Sequence, residues 1–469
     1  MNIIAIFGFI SAPLFHEASM TSLTSVKNNL FFILLILLYI SATFPMGVAF
    51  VGLSLTKPLF AILALIAIFN YVKIRINDPM IWFLVCFVLY FLVIFSLTLF
   101  PHGYISSETI QRIIVNVTPL LICFVFIDYF KNSQNNNKIT VLLFFAFLII
   151  IVRSITAINA EILMPNIARN SATGMYDDFP EFGLIGAGTY QFINGLVFIV
   201  LPIMFILRHR GPVKVKILMM IVGILSLSAI VYTAWGTALI MYFLLILIGL
   251  SPQKTKYIPF YVALICAALL IAVNSDFVFQ FLGSIFAGNP TIYDKIIDIK
   301  QSFLEGEASG QLESRQTLYI QSLDIFMSSP LFGDINAEPG GHAFWIDHLA
   351  SFGIVGTIPL ILAYLSIIIK SAVFVPDDYR AYHYLNSFVF IIFGCLKNVG
   401  GYEFMLFLSI IGPLLIYSSC KYDLKYKRKL PQKVDMLKVE FSGRIPQGGS
   451  ALHNWNDIIK SVKKFSRIR

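Results

Sequence analysis

Apolar runs of 15 to 24 residues recur from Leu30 to Tyr417, each broken by a short polar cluster. A bilayer core about 30 Å thick needs roughly 20 apolar residues per helix. The pattern therefore predicts an all-α polytopic membrane protein with about twelve transmembrane helices. The predicted spans are Leu30–Thr43, Leu55–Val72, Met80–Leu99, Ile113–Tyr129, Ile139–Ser154 and Tyr190–Leu207. They continue as Ile217–Tyr232, Thr237–Leu250, Ile258–Val273, Ile354–Ile369, Tyr384–Lys397 and Tyr402–Ser418. Residues 30–72 are nearly continuous, and Pro45, Gly47 and Lys57 are the main punctuation between the first two spans. Three regions result: an N-terminal cytoplasmic or interfacial segment (1–29), a multi-pass domain (30–418) and a tail (419–469).

The placement of cations orients the helices, because cytoplasmic loops are enriched in Lys and Arg. Exits of even-numbered spans carry Lys73 and Arg75, then Lys131 and Lys138, then Arg208, Arg210, Lys214 and Lys216. Lys254 and Lys256, then Lys370 and Arg380, continue the series. Odd-numbered exits are poorer in cations and hold two long loops, 155–189 and 274–353. Both termini are thus expected in the cytoplasm and both long loops outside it. The apolar stretch Ile3–Phe15 lacks a basic leading region and a clear small-residue cleavage site, so it reads as retained. No internal repeat is visible, which counts against an inverted-repeat transporter.

Composition removes the soluble alternatives. Of 469 residues 58% are hydrophobic and only 13% charged, and mean hydropathy is +0.82. A soluble chain of this size needs far more charge to cover its surface. The net charge of +9 is not a property of the fold. Residues 419–469 hold thirteen Lys or Arg against four Asp or Glu, a surplus equal to the charge of the whole chain. A juxtamembrane basic tail fits anionic lipid headgroups, so the bilayer and not nucleic acid is the expected partner. The five cysteines have no metal-ligand spacing and none falls in an exported loop, so neither a metal site nor a disulfide framework is expected.

Candidate chemistry lies in the loops, which are too long to be mere connectors. The first contains "MPNIARNSATGMYDDFPEFGLIGAGT", with Arg169 as its only Lys or Arg. The second has three cations and ten acids, so anion binding there requires individually positioned arginines. Within it "LESRQTLYIQSLDIFMSSPLFG" reads as a helix ended at Ser328, Ser329 and Pro330. Tyr319, Leu323 and Phe326 form its apolar stripe, extended by Arg315. Such an arginine either snorkels to headgroups or forks onto a diphosphate. In "EPGGHAFWIDHLASFGIVG" the Pro339–Gly341 turn precedes a helix expected to start near His342, with His342, Trp345, Ile346 and Leu349 on one face and Asp347 elsewhere. His342 and His348 are six residues apart, on different faces, and do not make an i, i+4 metal pair. His342 is either a solvated capping residue or a proton-transfer group. Arg153, near the exported end of the fifth span, either snorkels or binds an anion. Lys397 and Glu403 flank the last exported turn and are expected to pair with each other.

An Arg-bearing helix ending in "PLFG", a Gly-rich turn, a His, an aromatic-rich helix start and "LASFGIVG" entering a span resemble the O-antigen polymerase and O-antigen ligase superfamily. The matching stretch is Ser314–Gly356, and the hydropathy profile agrees over about 30–418. The string "GGHAFWIDHLASFGIVG" is closer to Wzy-type polymerases. Ligases typically carry His-Asn where this chain has His342-Ala343, and often Ser-Arg where it has "YTAWGTA" at 232–238. The resemblance implies a GT-C-like, metal-independent glycosyltransferase of the bacterial inner membrane that uses no cofactor. It would transfer a growing glycan from undecaprenyl diphosphate to a sugar hydroxyl of a second lipid-linked repeat unit, and a chain-length-regulating co-polymerase is an implied partner. It assigns His342 the catalytic role and makes Arg315, Arg169 and Arg153 diphosphate-binding candidates. Tyr319, Trp345, Asp347 and His348 are substrate-binding candidates, and Tyr190 a further stacking residue.

Two alternatives differ in chemistry. A ligase would transfer the glycan to a lipid A–core sugar. A lipid-linked oligosaccharide flippase would move it without forming a bond, and should have short loops and polar residues inside its spans. The large loop and the apparently clean spans favour an enzyme.

Overall fold

The computed structural model describes residues 23–43, 80–102, 107–133, 135–164, 167, 190–209, 212–233, 235–250, 284, 293, 297 and 310–421. Among them every regular element is helical. In chain order these are α1 (Leu23–Thr43), α2 (Met80–His102), α3 (Ser107–Ser133) and α4 (Asn136–Leu163). Next come α5 (Tyr190–Arg208), α6 (Val213–Tyr232) and α7 (Gly236–Leu250). Last are α8 (Gly310–Ser328), α9 (Phe344–Ser371), α10 (Asp377–Leu396) and α11 (Tyr402–Lys421). Five described helices are long and apolar enough to cross a membrane: α4, α5, α6, α11, and α9 together with the turn that follows it. Asn28–Thr43, Trp82–Leu97 and Gly236–Leu250 are apolar but shorter. The predicted spans Leu55–Val72 and Ile258–Val273 lie outside the described residues, as do Arg169 and nearly all of the tail. Each of the other ten predicted spans overlaps a helix.

Local chemistry sets the helix ends. Asn135 caps α4, its side chain accepting from the backbone N–H of Asn137 at 3.0 Å and of Lys138 at 3.4 Å. Pro212 and Pro376 precede α6 and α10, where a missing N–H costs nothing. Asp377 and Asp378 sit at the positive end of the α10 dipole. The helix α4 runs nine residues past its predicted end into the expected first loop. The extension Ile155–Leu163 is rich in helix-compatible residues, and Ala157, Ala160 and Glu161 are buried.

Two backbone interruptions are repaired from other elements. Pro202 has no N–H to offer Phe198, and the α5 backbone tightens into a 3-10 turn at Leu196–Ile199. The Phe198 carbonyl accepts instead from Asn386 Nδ2 of α10 at 2.8 Å. The second interruption lies at Gly353 in α9, where φ is 60° and ψ −170°. The segment after α8 passes through this break. Ile354 and Val355 donate to the carbonyls of Pro330 (2.9 Å) and Leu331 (3.0 Å), and Asp334 donates to Ala350 (2.8 Å). Gly333 and Gly353 face each other at the crossing: a Cβ on Gly353 would overlap the Leu331 carbonyl, and one on Gly333 would lie 2.5 Å from the Gly353 nitrogen. The helix α9 packs along α2 and against α8.

The Gly353→Ala substitution is expected to destabilise the fold by about 1–3 kcal/mol from backbone strain alone, before steric overlap is counted. A Cβ on Gly236 has open space, so Gly236→Ala should leave stability unchanged. Thermal unfolding of both variants in detergent checks the contrast, and an equal midpoint for the two would remove the glycine crossing.

Candidate functional site

The stretch Ser314–Gly356 folds as one unit built on a single serine. The face by which α8 packs on the rest of the chain is distinct from the stripe of Tyr319, Leu323 and Phe326, of which Leu323 is exposed. That face centres on Ser322, which is fully buried because two polar partners converge on it. Ser322 Oγ accepts from the Gly340 N–H at 2.9 Å and donates to Asp347 Oδ1 at 2.7 Å. Asp347 Oδ2 accepts from the Ala343 N–H at 2.9 Å, and the Gly341 N–H also points at this carboxylate. Asp347 makes the return half of a capping box, one residue farther into the helix than usual, with Ala343 supplying no side-chain cap. Asp347 thus faces α8 and closes the turn.

The helix α9 starts at Phe344, two residues later than expected, with Ala343 at its cap. His342 stands before the helix, exposed on the turn made by Gly341 (φ 73°) and within electrostatic reach of Asp347. The Gly340 backbone lies against the Leu318 carbonyl of α8. Arg315 is three residues before Leu318, about 5 Å along the helix axis. The His342 turn therefore lies against the middle of α8, within about one helical turn of the Arg315 backbone.

The buried face of α9 cuts across the grouping read from helical spacing. Phe344, Trp345 and His348 point into the bundle, not His342 and Leu349. His348 Nδ1 donates to the Phe344 carbonyl at 2.7 Å, which leaves Nε2 to accept from Asn116 Nδ2 of α3 at 2.7 Å. Trp345 packs edge-on against Phe344, Tyr364 and Phe390, its indole pressed on Gly394. Tyr319 donates to the Leu396 carbonyl at 2.8 Å and ties α8 to the end of α10. Trp345 and His348 are buried in the packing of the unit, whereas Tyr319 is half-buried and held by its hydroxyl.

The spans are not clean of charge. Arg153 of α4 is fully buried, with its Nη1 3.0 Å from Glu403 Oε1 of α11. The same nitrogen donates to the Thr43 carbonyl at the end of α1, and the guanidinium lies 4.1 Å above the Phe192 ring of α5. Four helices meet at one cation. The carboxylate expected to face Lys397 receives Arg153 instead, and Lys397 is itself buried. This overturns the expectation of uncharged spans, and the argument against a transporter drawn from it fails. Sequence spacing could not pair residues 250 positions apart. The only signal was that each is an ionisable residue inside an apolar run.

Among the described residues no group of three or more His, Cys, Asp or Glu is arranged to hold a metal ion. Cys86, Cys123 and Cys395 are free thiols. No protein-family model matches the chain, and no curated protein matches it either.

If Ser322 and Asp347 act as one unit, Ser322→Ala and Asp347→Asn will be non-additive. A double-mutant cycle on thermal unfolding should return a coupling of about 1 kcal/mol or more. Strict additivity would mean that the serine does not hold the turn.

Proposed function

We propose that the chain is a polymerase of lipid-linked saccharide repeat units, acting at the extracytoplasmic face of a bacterial inner membrane with both termini in the cytoplasm. The observation that supports this reading is the joining of two elements in the unit resembling O-antigen polymerases: the Arg315 helix and the His342 turn, which packs on α8 about one helical turn from Arg315. In the reaction, the bond from the donor sugar's anomeric carbon to the undecaprenyl diphosphate oxygen breaks as a bond to the acceptor hydroxyl forms. His342, exposed beside the carboxylate of Asp347, takes the hydroxyl proton. Charge develops on the departing diphosphate, and Arg315 with Arg169 stabilises it through forked donors. Asp347 orients the His342 turn. Arg153, committed to Glu403 and shut away from solvent, drops out of the diphosphate-binding set.

A transport reading draws on the buried ion pair and the broken helix, both common in secondary transporters. A glycolipid gel of a deletion strain separates the classes. Loss of a polymerase leaves core capped with a single repeat. Loss of a ligase leaves bare core with lipid-linked polymer accumulating, and loss of a flippase leaves bare core with single repeats held on the cytoplasmic leaflet.

Substituting His342→Ala or Arg315→Ala should abolish long chains while the protein remains inserted, with a rate loss of about a hundredfold or more for the histidine. Arg315→Lys should fail as well, because an ammonium is a point charge without the planar fork. Wild-type ladders from both alanine variants would remove the site.

A further inference from the structure

The Arg153–Glu403 pair is too costly to be incidental. Each ion loses several kcal/mol of hydration on burial, and a hydrophobic replacement of similar volume often folds as well. Its position suggests what it does. Glu403 is the second residue of α11, and the chain just before it, 397–401, is the platform on which the Ser314–Gly356 unit hangs. Tyr319 of α8 donates to the Leu396 carbonyl at 2.8 Å, and the Phe344 N–H that opens α9 donates to the Lys397 carbonyl at 3.2 Å. Asn398 Oδ1 accepts from the Gly400 N–H at 3.0 Å and fixes the turn. Gly400 fits between Asn116 and Phe344, and Gly401 against Gln191 of α5.

We infer that Arg153 and Glu403 are positioning residues: the pair pins the 397–401 turn to α1, α4 and α5, and through Tyr319 and Phe344 it holds the Arg315 helix and the His342 turn in fixed relation. Neither residue touches the reacting atoms. The effect on rate rests on the polymerase reading, and the effect on geometry does not.

The test uses full-length protein in lipid nanodiscs, spin-labelled at Asp324→Cys on the exposed side of α8 and at Cys395, with the other four cysteines changed to alanine. The variants are Arg153→Met with Glu403→Met, which removes both charges together, and Glu403→Gln, which keeps the side-chain shape if the double variant does not fold. Inserted variants should show a label-distance distribution at least about twice as broad as the parent. Chain extension of a lipid-linked repeat unit should fall about a hundredfold, the scale expected for a misplacement near 1 Å. The fall should lie in kcat, with KM little changed. A narrow, parent-like distribution in either inserted variant would overturn the inference, and so would broadening with undiminished chain extension. If the parent itself extends no saccharide while the variants broaden, the pin stands and the polymerase reading falls.

Discussion

A helix bundle in lipid has no water to satisfy a backbone group that its own helix leaves free, so each interruption must be repaired by another part of the chain. That constraint organises this molecule. Pro202 strands the Phe198 carbonyl, and Asn386 reaches across from α10 to occupy it. The break at Gly353 frees carbonyls and N–H groups on either side, and the strand after α8 is drawn in to meet them. The loop is held by the same hydrogen bonds that make the broken helix tolerable. Repairing the helix and attaching the α8 unit are one event.

The same logic extends to charge. A guanidinium in an apolar bundle persists only if its charge is answered, and Arg153 gains a carboxylate, a helix-end carbonyl and an aromatic face from three other helices. Removing one partner from such a pair costs about 3–5 kcal/mol, so the four helices move together or not at all. The partners of Arg153 and the ties to the 397–401 turn gather toward one end of the bundle: the ends of α1 and α10 and the starts of α5, α9 and α11. The opposite helix ends carry the cation-rich connections read from the sequence. The repaired, rigid end and the basic end are therefore different ends.

Hydropathy made most helices legible because an apolar run of bilayer length has few other uses. What it could not report was the fate of individual polar residues. On α8, periodicity marks the Leu323 stripe and passes over Ser322, the serine whose buried partners make it the anchor. The inward position of His348 was not legible because histidine scores as polar, although both of its ring nitrogens are answered inside the bundle. The "PLFG" and "SFG" strings stood out as a family likeness without a mechanism. The structure supplies one: each glycine lies where the other's backbone leaves no room for a Cβ.

This division of labour bears on how a lipid-linked reaction would be run. Both substrates would arrive tethered in the plane of the membrane, so the protein would not need a deep pocket to gather them. It would need a fixed edge past which they diffuse. The exposed His342 turn has that character: it is held from below by Asp347 and Ser322 and followed at once by the buried Phe344 and Trp345. Orientation would come from the rigidity of the support, not from enclosure. Mobility in such a site would cost rate more directly than in an enclosed one, because no surrounding wall would correct a misplaced histidine. The investment in buried polar ties around the 397–401 turn is what a shallow site would require.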